Sequence, residues 1–125
     1  MKERLYIGIA GAAGAVVRLL VGLLFLTSGG FPFATFTVNM IGTLLLCFLV
    51  ERARLSGRLS PLLVTVVTVG FLGAFTTFSA VSLETIMLLE DRLVLIAGTY
   101  VWMSLLGGLA MAALGFSLAK KVTAQ

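Results

Sequence analysis

Phe71-Leu72-Gly73-Ala74-Phe75-Thr76-Thr77-Phe78-Ser79 decides how this chain is read. It lies inside the third of four hydrophobic stretches, where an uninterrupted membrane-spanning helix would be the ordinary solution. Glycine costs roughly 1 kcal/mol relative to alanine in a helix interior, and threonine hydroxyls compete for backbone partners. A glycine followed by paired threonines therefore predicts a broken helix. Irregular backbone at membrane depth persists only where protein buries it or where it lines a hydrated cavity. Broken spans are also where many membrane proteins hold their ions. This segment is the first place to look for function.

The surrounding sequence sets the class. The 125 residues are 60% hydrophobic and only 11% charged, with a mean hydropathy of +1.17, which is integral-membrane composition. Four apolar stretches lie near residues 5–26, 33–50, 62–89 and 94–118. A helix needs about 20 residues to cross the hydrocarbon core, so each is long enough or nearly so. The third is too long for one straight crossing, which agrees with a break near 73–77. The expectation is a single all-α membrane domain over 1–125 with four transmembrane helices.

Turn signals separate the spans. Thr27-Ser28-Gly29-Gly30 and then Pro32 divide the first from the second. A basic loop, Glu51 to Arg58, ends in Ser60-Pro61, a good helix start. Glu90-Asp91-Arg92 predicts a tight last turn. There is no internal repeat, linker or second domain.

Several function classes are excluded by what is missing. The chain has no histidine, and Cys47 is its one cysteine, so neither an internal disulfide nor a Cys/His metal site can be built. Of the five acids only Glu84 lies within a hydrophobic stretch, which leaves acid/base catalysis almost nothing to use. An enzyme is not expected. The sequence pI of about 9.9 does not point to nucleic acid either, because the basic residues cluster at span ends. Lys2-Glu3-Arg4 before an apolar run imitates a secretory signal, but Arg18 interrupts that run and no convincing cleavage site follows.

Those cations also orient the chain. With four spans, Lys2, Arg4, Arg52, Arg54, Arg58, Lys120 and Lys121 fall on one side and Arg92 alone on the other. A seven-to-one bias places both termini in the cytoplasm.

Small residues predict close helix packing. Gly8, Gly11 and Gly14 leave the first helix nearly bare of bulk, and Gly107, Gly108 and Ala112 do the same in the fourth. Such surfaces let backbones approach where lipid supplies no hydrophobic drive between helices. No strand precedes the glycines at 8–14, so they are not a nucleotide loop.

Polar residues within the spans carry the chemistry. Arg18 lies about 20 Å along the first helix. It either snorkels to the outer interface or draws anions to a vestibule by its charge. Asn39 sits mid-span, and its amide suits either a helix–helix hydrogen bond or an anion stripped of water. Thr76, Thr77, Ser79 and Ser82 make a hydroxyl-rich run interleaved with Phe75 and Phe78. Such hydroxyls often bond their own helix, and membrane phenylalanines mostly pack. A ring edge is nevertheless electropositive and can face an anion.

Taken together, Gly11-Ala12-Ala13-Gly14-Ala15-Val16-Val17-Arg18, Thr35-Phe36-Thr37-Val38-Asn39-Met40-Ile41-Gly42, and Gly70-Phe71-Leu72-Gly73-Ala74-Phe75-Thr76-Thr77-Phe78-Ser79 with Glu84 resemble the Fluc (CrcB-like) fluoride channels. The likeness covers essentially the whole chain, and the third-span motif is its specific part. It implies a four-helix subunit in an antiparallel two-fold dimer with two fluoride pores. It implies that Asn39 and Phe78 contact fluoride, and that Ser79, Ser82 and Thr35 line the path. Arg18 and Glu84 would belong to the vestibules. Backbone carbonyls of Gly73 and Thr76 would hold a structural sodium ion at the dimer interface, consistent with the preference of hard cations for oxygen.

This sequence departs from that pattern twice. Val81 stands where a second phenylalanine is common, and a valine has no electropositive edge. Gly108 stands where the fourth span commonly has a serine. A pore receiving Val81 is expected to be impaired or silent. The charge bias adds a third expectation. A homodimer of opposed subunits needs one sequence to insert both ways, so a seven-to-one bias favours a differently encoded partner of opposite orientation. Two other readings are a small multidrug-type exporter and a non-conducting structural subunit. The exporter needs an acid in the first span, where this chain has Arg18. The structural subunit would not need both Asn39 and the broken third helix.

Overall fold

A computed structural model describes residues 1–25 and 30–124. Helix α1 spans Lys2–Leu24 and α2 spans Phe33–Ser56. Between them, Thr27, Ser28 and Gly29 of the expected turn lie outside the described residues. Helix α2 continues past the apolar run because its polar end finds partners. Glu51 and Arg54 pair three residues apart at 2.7 Å, and Arg52 donates to Thr123 Oγ1 at 2.8 Å. Gly57, at φ +57°, then ends the helix in the left-handed conformation that glycine accepts without penalty.

The third span, Pro61–Glu90, is composite. Pro61 occupies the first turn of a short α3, Pro61–Thr65, where its missing N–H costs nothing. The chain then widens into a π-helical segment, Val66–Leu72. One short turn follows, α4 at Gly73–Phe75, before the backbone turns extended at Thr76 and Thr77. Helix α5, Phe78–Glu90, resumes the crossing. Asp91 and Arg92 make the tight turn, with Arg92 at φ 61°, and α6 runs Val94–Thr123. Thus the break near 73–77 is present, while the π segment before it is an addition. Hydropathy marks this stretch as apolar whichever pitch it adopts, so it cannot separate a π turn from an α turn.

Two seams organise the bundle. Helix α1 lies parallel to the first half of the third span, and its small residues form the contact. A side chain at Gly14 would collide with the Phe71 carbonyl, and a Cβ at Gly70 would stand 2.8 Å from the Ile7 carbonyl. Helix α2 lies parallel to α6. Here a Cβ at Gly107 would stand 2.9 Å from Met40 Sδ, and one at Gly115 2.6 Å from the Leu44 carbonyl. Removing side chains brings dispersion contacts between backbones, the main cohesion available in lipid. Helix α5 packs on α6.

The buried core is small. Val38, Leu72 and Phe75 form one cluster, and Val81, Leu88, Ala97 and Tyr100 the other. Most other large apolar side chains are exposed, Phe78 at 78% and Leu95 at 84% among them. In water such a surface would be untenable. Among the described residues four helices are long and apolar enough to cross a membrane, and this is a multi-pass membrane protein.

Candidate functional site at the helix break

The break is built by exchanging backbone partners for side-chain ones. In an unbroken helix the Thr77 N–H would donate to the Gly73 carbonyl. Instead it donates to Asn39 Oδ1 at 2.8 Å, while Asn39 Nδ2 donates to the Thr77 carbonyl at 2.9 Å. Thr76 closes the first half, its N–H and its Oγ1 both donating to the Leu72 carbonyl, at 3.0 and 2.9 Å. Thr77 opens the second, its Oγ1 accepting from the Ala80 N–H at 3.1 Å as a helix cap. Two consecutive threonines therefore serve two different helix ends.

This arrangement leaves characteristic groups free. The final carbonyls of a helix have no partner within it, and here those at the end of the first half begin with Gly73. They carry partial negative charge, whereas the N-terminus of α5 just beyond carries partial positive charge. Asn39 has spent one of its two N–H donors and keeps the other.

An open cavity of about 700 Å³ lies against the break. Helix α2 contributes Asn39, Met40 and Thr43 to its wall. The third span contributes Gly73, Thr76, Thr77, Phe78, Val81 and Ser82, and α6 contributes Ser104 and Gly108. Five of the residues singled out from the sequence for ion contact or cation binding thus share one wall: Asn39, Gly73, Thr76, Phe78 and Ser82. Ser82 faces it with its proton spent, since its Oγ donates to the Phe78 carbonyl at 3.1 Å.

The other candidates lie elsewhere. Ser79 is exposed and shares a hydrogen bond with Thr77 Oγ1 at 3.0 Å. Thr35, one turn before Asn39 on α2, donates to Glu84 Oε1 at 2.6 Å, and Tyr100 donates to Glu84 Oε2 at 2.6 Å. These three side chains join α2, α5 and α6 in a knot, with Tyr100 completely buried and set edge-on to Phe31. Arg18 is half-buried on α1 away from this cavity, and its Nε has no partner among the described residues. Among the described residues no three acidic, histidine or cysteine side chains converge on a metal position. A cation at the break would have backbone oxygen as its ligand.

The profile of the family described as CrcB-like protein, Camphor Resistance (CrcB), matches residues 5–116. This chain belongs to the CrcB family. Among CrcB relatives, the fluoride-specific ion channel FluC of Chlorobaculum tepidum is 48% identical over 121 residues, covering 96% of each chain. FluC 1 of Desulfitobacterium hafniense is 47% identical over 109 residues, covering 87% of this chain and 96% of that one. FluC 2 of Listeria innocua is 43% identical over 118 residues, with 94% and 91% covered.

Val81 and Gly108, the two positions read from the sequence as departures, both fall on the cavity wall. Val81 is 7% exposed and belongs to the cluster with Leu88, Ala97 and Tyr100, so it packs the core as well as facing the cavity. Gly108 offers no hydroxyl, but Ser104, one helical turn before it, does, and its Oγ is buried with no partner among the described residues. Sequence reasoning missed Ser104, Thr43 and Tyr100. The spacing Ser104–Gly108 and the stripe Thr35–Asn39–Thr43 were available signals, since residues four apart share a helix face. Nothing in the sequence tied Tyr100 to Glu84.

Proposed function

We propose that this chain is a subunit of a fluoride-selective channel that lets fluoride leave the cytoplasm passively and so reduces its toxicity. The observation that carries the reading is the break itself, where Asn39 holds the backbone of Thr77 and retains an N–H donor on the cavity wall. An anion leaving water needs replacement donors, and a low-dielectric wall strengthens those it finds. Asn39 and Ser104 supply N–H and O–H donors, and the exposed Phe78 ring supplies an electropositive edge. Ser82 joins them on rotation of its hydroxyl. Arg18 and Glu84 lie off this wall and serve, in this reading, near the path's ends. The names of the relatives point to the same ion.

The open wall calls for a second subunit. In this reading two subunits meet in antiparallel fashion across the break, and carbonyls of Gly73 and Thr76 from each hold a sodium ion. Carbonyls freed at a helix end fit a hard cation, which neutralises their partial charges and ties the halves together. The chain sits in a bacterial plasma membrane with both termini cytoplasmic, as the seven-to-one charge bias favours, and pairs with a homologous chain of opposite orientation. Val81 then weakens the path that receives it.

Fluoride efflux from liposomes tests the reading, with chloride as control. Fluoride-selective efflux from this chain alone supports the channel and removes the need for a different partner. Efflux only on adding an oppositely oriented homologue supports the pair. No efflux with such a partner, verified as assembled, overturns the channel. A C-terminal reporter found on both sides of the membrane would remove the single orientation.

A further inference from the structure

Helix α2 holds the break by two residues, not one. Asn39 grips Thr77 through two hydrogen bonds. Three residues on, and so on the same face, Gly42 is buried and has nothing but backbone. The methyl of Thr76 fills the space left by that missing side chain. A Cβ at Gly42 would collide with Thr76 Cγ2 and stand 3.2 Å from the Phe75 ring.

Neither neighbour can retreat cheaply. Thr76 is β-branched, with few rotamers, and its Oγ1 is bound to the Leu72 carbonyl. Phe75 is 6% exposed and locked in the cluster of Val38 and Leu72. Any bulk at Gly42 must therefore move the Thr76 backbone, where the helix gives way to extended chain and the freed carbonyls begin.

We propose that Gly42 is a positioning residue for the ion path: its empty notch seats Thr76 and so sets where the third helix stops. Gly42 touches no ion. The inference rests on the break being the conducting site, and it adds a steric half to the polar grip of Asn39. Gly115 is as tightly packed, with the Leu44 carbonyl at a Cβ distance of 2.6 Å, but it sits on the α2–α6 seam away from the break.

A second-site cycle tests it, because Thr76→Ser removes the colliding methyl and keeps the hydroxyl. Fluoride efflux, and hydrogen exchange of the peptide holding the Thr77 amide, are measured on the assembled channel for the native chain, Gly42→Ala, Thr76→Ser and the double variant, with Gly115→Ala as a packing control. Gly42→Ala slows efflux by roughly tenfold or more in the native background and by less than about threefold in the Thr76→Ser background. Protection at Thr77 falls in Gly42→Ala, returns in the double variant, and stays native-like in Gly115→Ala. Equal losses in the two backgrounds, or protection lost as much in Gly115→Ala, overturn the proposal. Should Gly42→Ala fail to assemble, the double variant is set against Thr76→Ser: matching efflux and protection support the notch, and a tenfold deficit sinks it. Exchange that follows the cycle in a protein with no fluoride efflux would keep the notch and discard the channel reading.

Discussion

One helical turn of α2 separates two polar constellations of opposite character. At Thr35 the hydroxyl, Glu84 and Tyr100 are all side chains, they bond one another, and Tyr100 is sealed from solvent. At Asn39 the side chain bonds the backbone of a broken helix, keeps a donor, and borders a cavity of about 700 Å³. The first joins three helices with short bonds between their side chains. The second leaves groups over. Buried polar networks that are fully paired rigidify a fold, whereas spare donors and acceptors remain available to a ligand. The residue types alone do not separate the two roles, since both sites draw on membrane-embedded polar groups. Closure separates them.

The sharpest way to break this comparison is Asn39→Ala. It orphans the Thr77 N–H and carbonyl together, at about 1 kcal/mol or more for each half-buried group. Thermal unfolding should drop by the largest amount in this set and fluoride efflux should vanish. A variant with native stability would mean that the break does not depend on Asn39.

Glu84→Gln comes next. One amide oxygen still accepts, but the new NH2 group faces a hydroxyl that had been donating, at a cost of about 1–2 kcal/mol. Unfolding should suffer proportionately more than efflux. If efflux falls as far as in Asn39→Ala, the two constellations act as one.

Tyr100→Phe sharpens the same point more gently. It removes one hydrogen bond and keeps the edge-on contact with Phe31, so about 1 kcal/mol of stability should be lost. A larger loss in calorimetry would show that the knot is cooperative. Ser104→Ala is the smallest structural change, since its Oγ has no partner to lose among the described residues. Stability should stay within about 0.5 kcal/mol while fluoride efflux slows. Unaltered efflux would take Ser104 off the path.

Much of this architecture was legible because membrane insertion is governed by local chemistry. Apolar length marks a span, Pro61 marks a start, and Gly73 with Thr76 and Thr77 marks a break, each through nearby backbone energetics. The roles of hydroxyls were less legible. Ser82 and Thr76 bond their own helix, as isolated threonines and serines often do, whereas Ser104 on the same wall has no partner among the described residues. Nothing in their immediate neighbours distinguishes them. The π segment at Val66–Leu72 was equally hidden, because its β-branched residues suit either helical pitch and the wider turn packs against α1.

The linear chain thus settled the class, the four spans, the site of the break and the sidedness of charge, all properties of residues acting with their close neighbours or with the bilayer. Pairing across distance settled the rest. Asn39 reaches Thr77 from 38 residues away, Thr35 reaches Glu84 from 49, and Gly42 admits the Thr76 methyl only because α2 crosses there. Such contacts depend on helix rotation and register, which small residues set collectively along whole seams, so no local stretch encodes them.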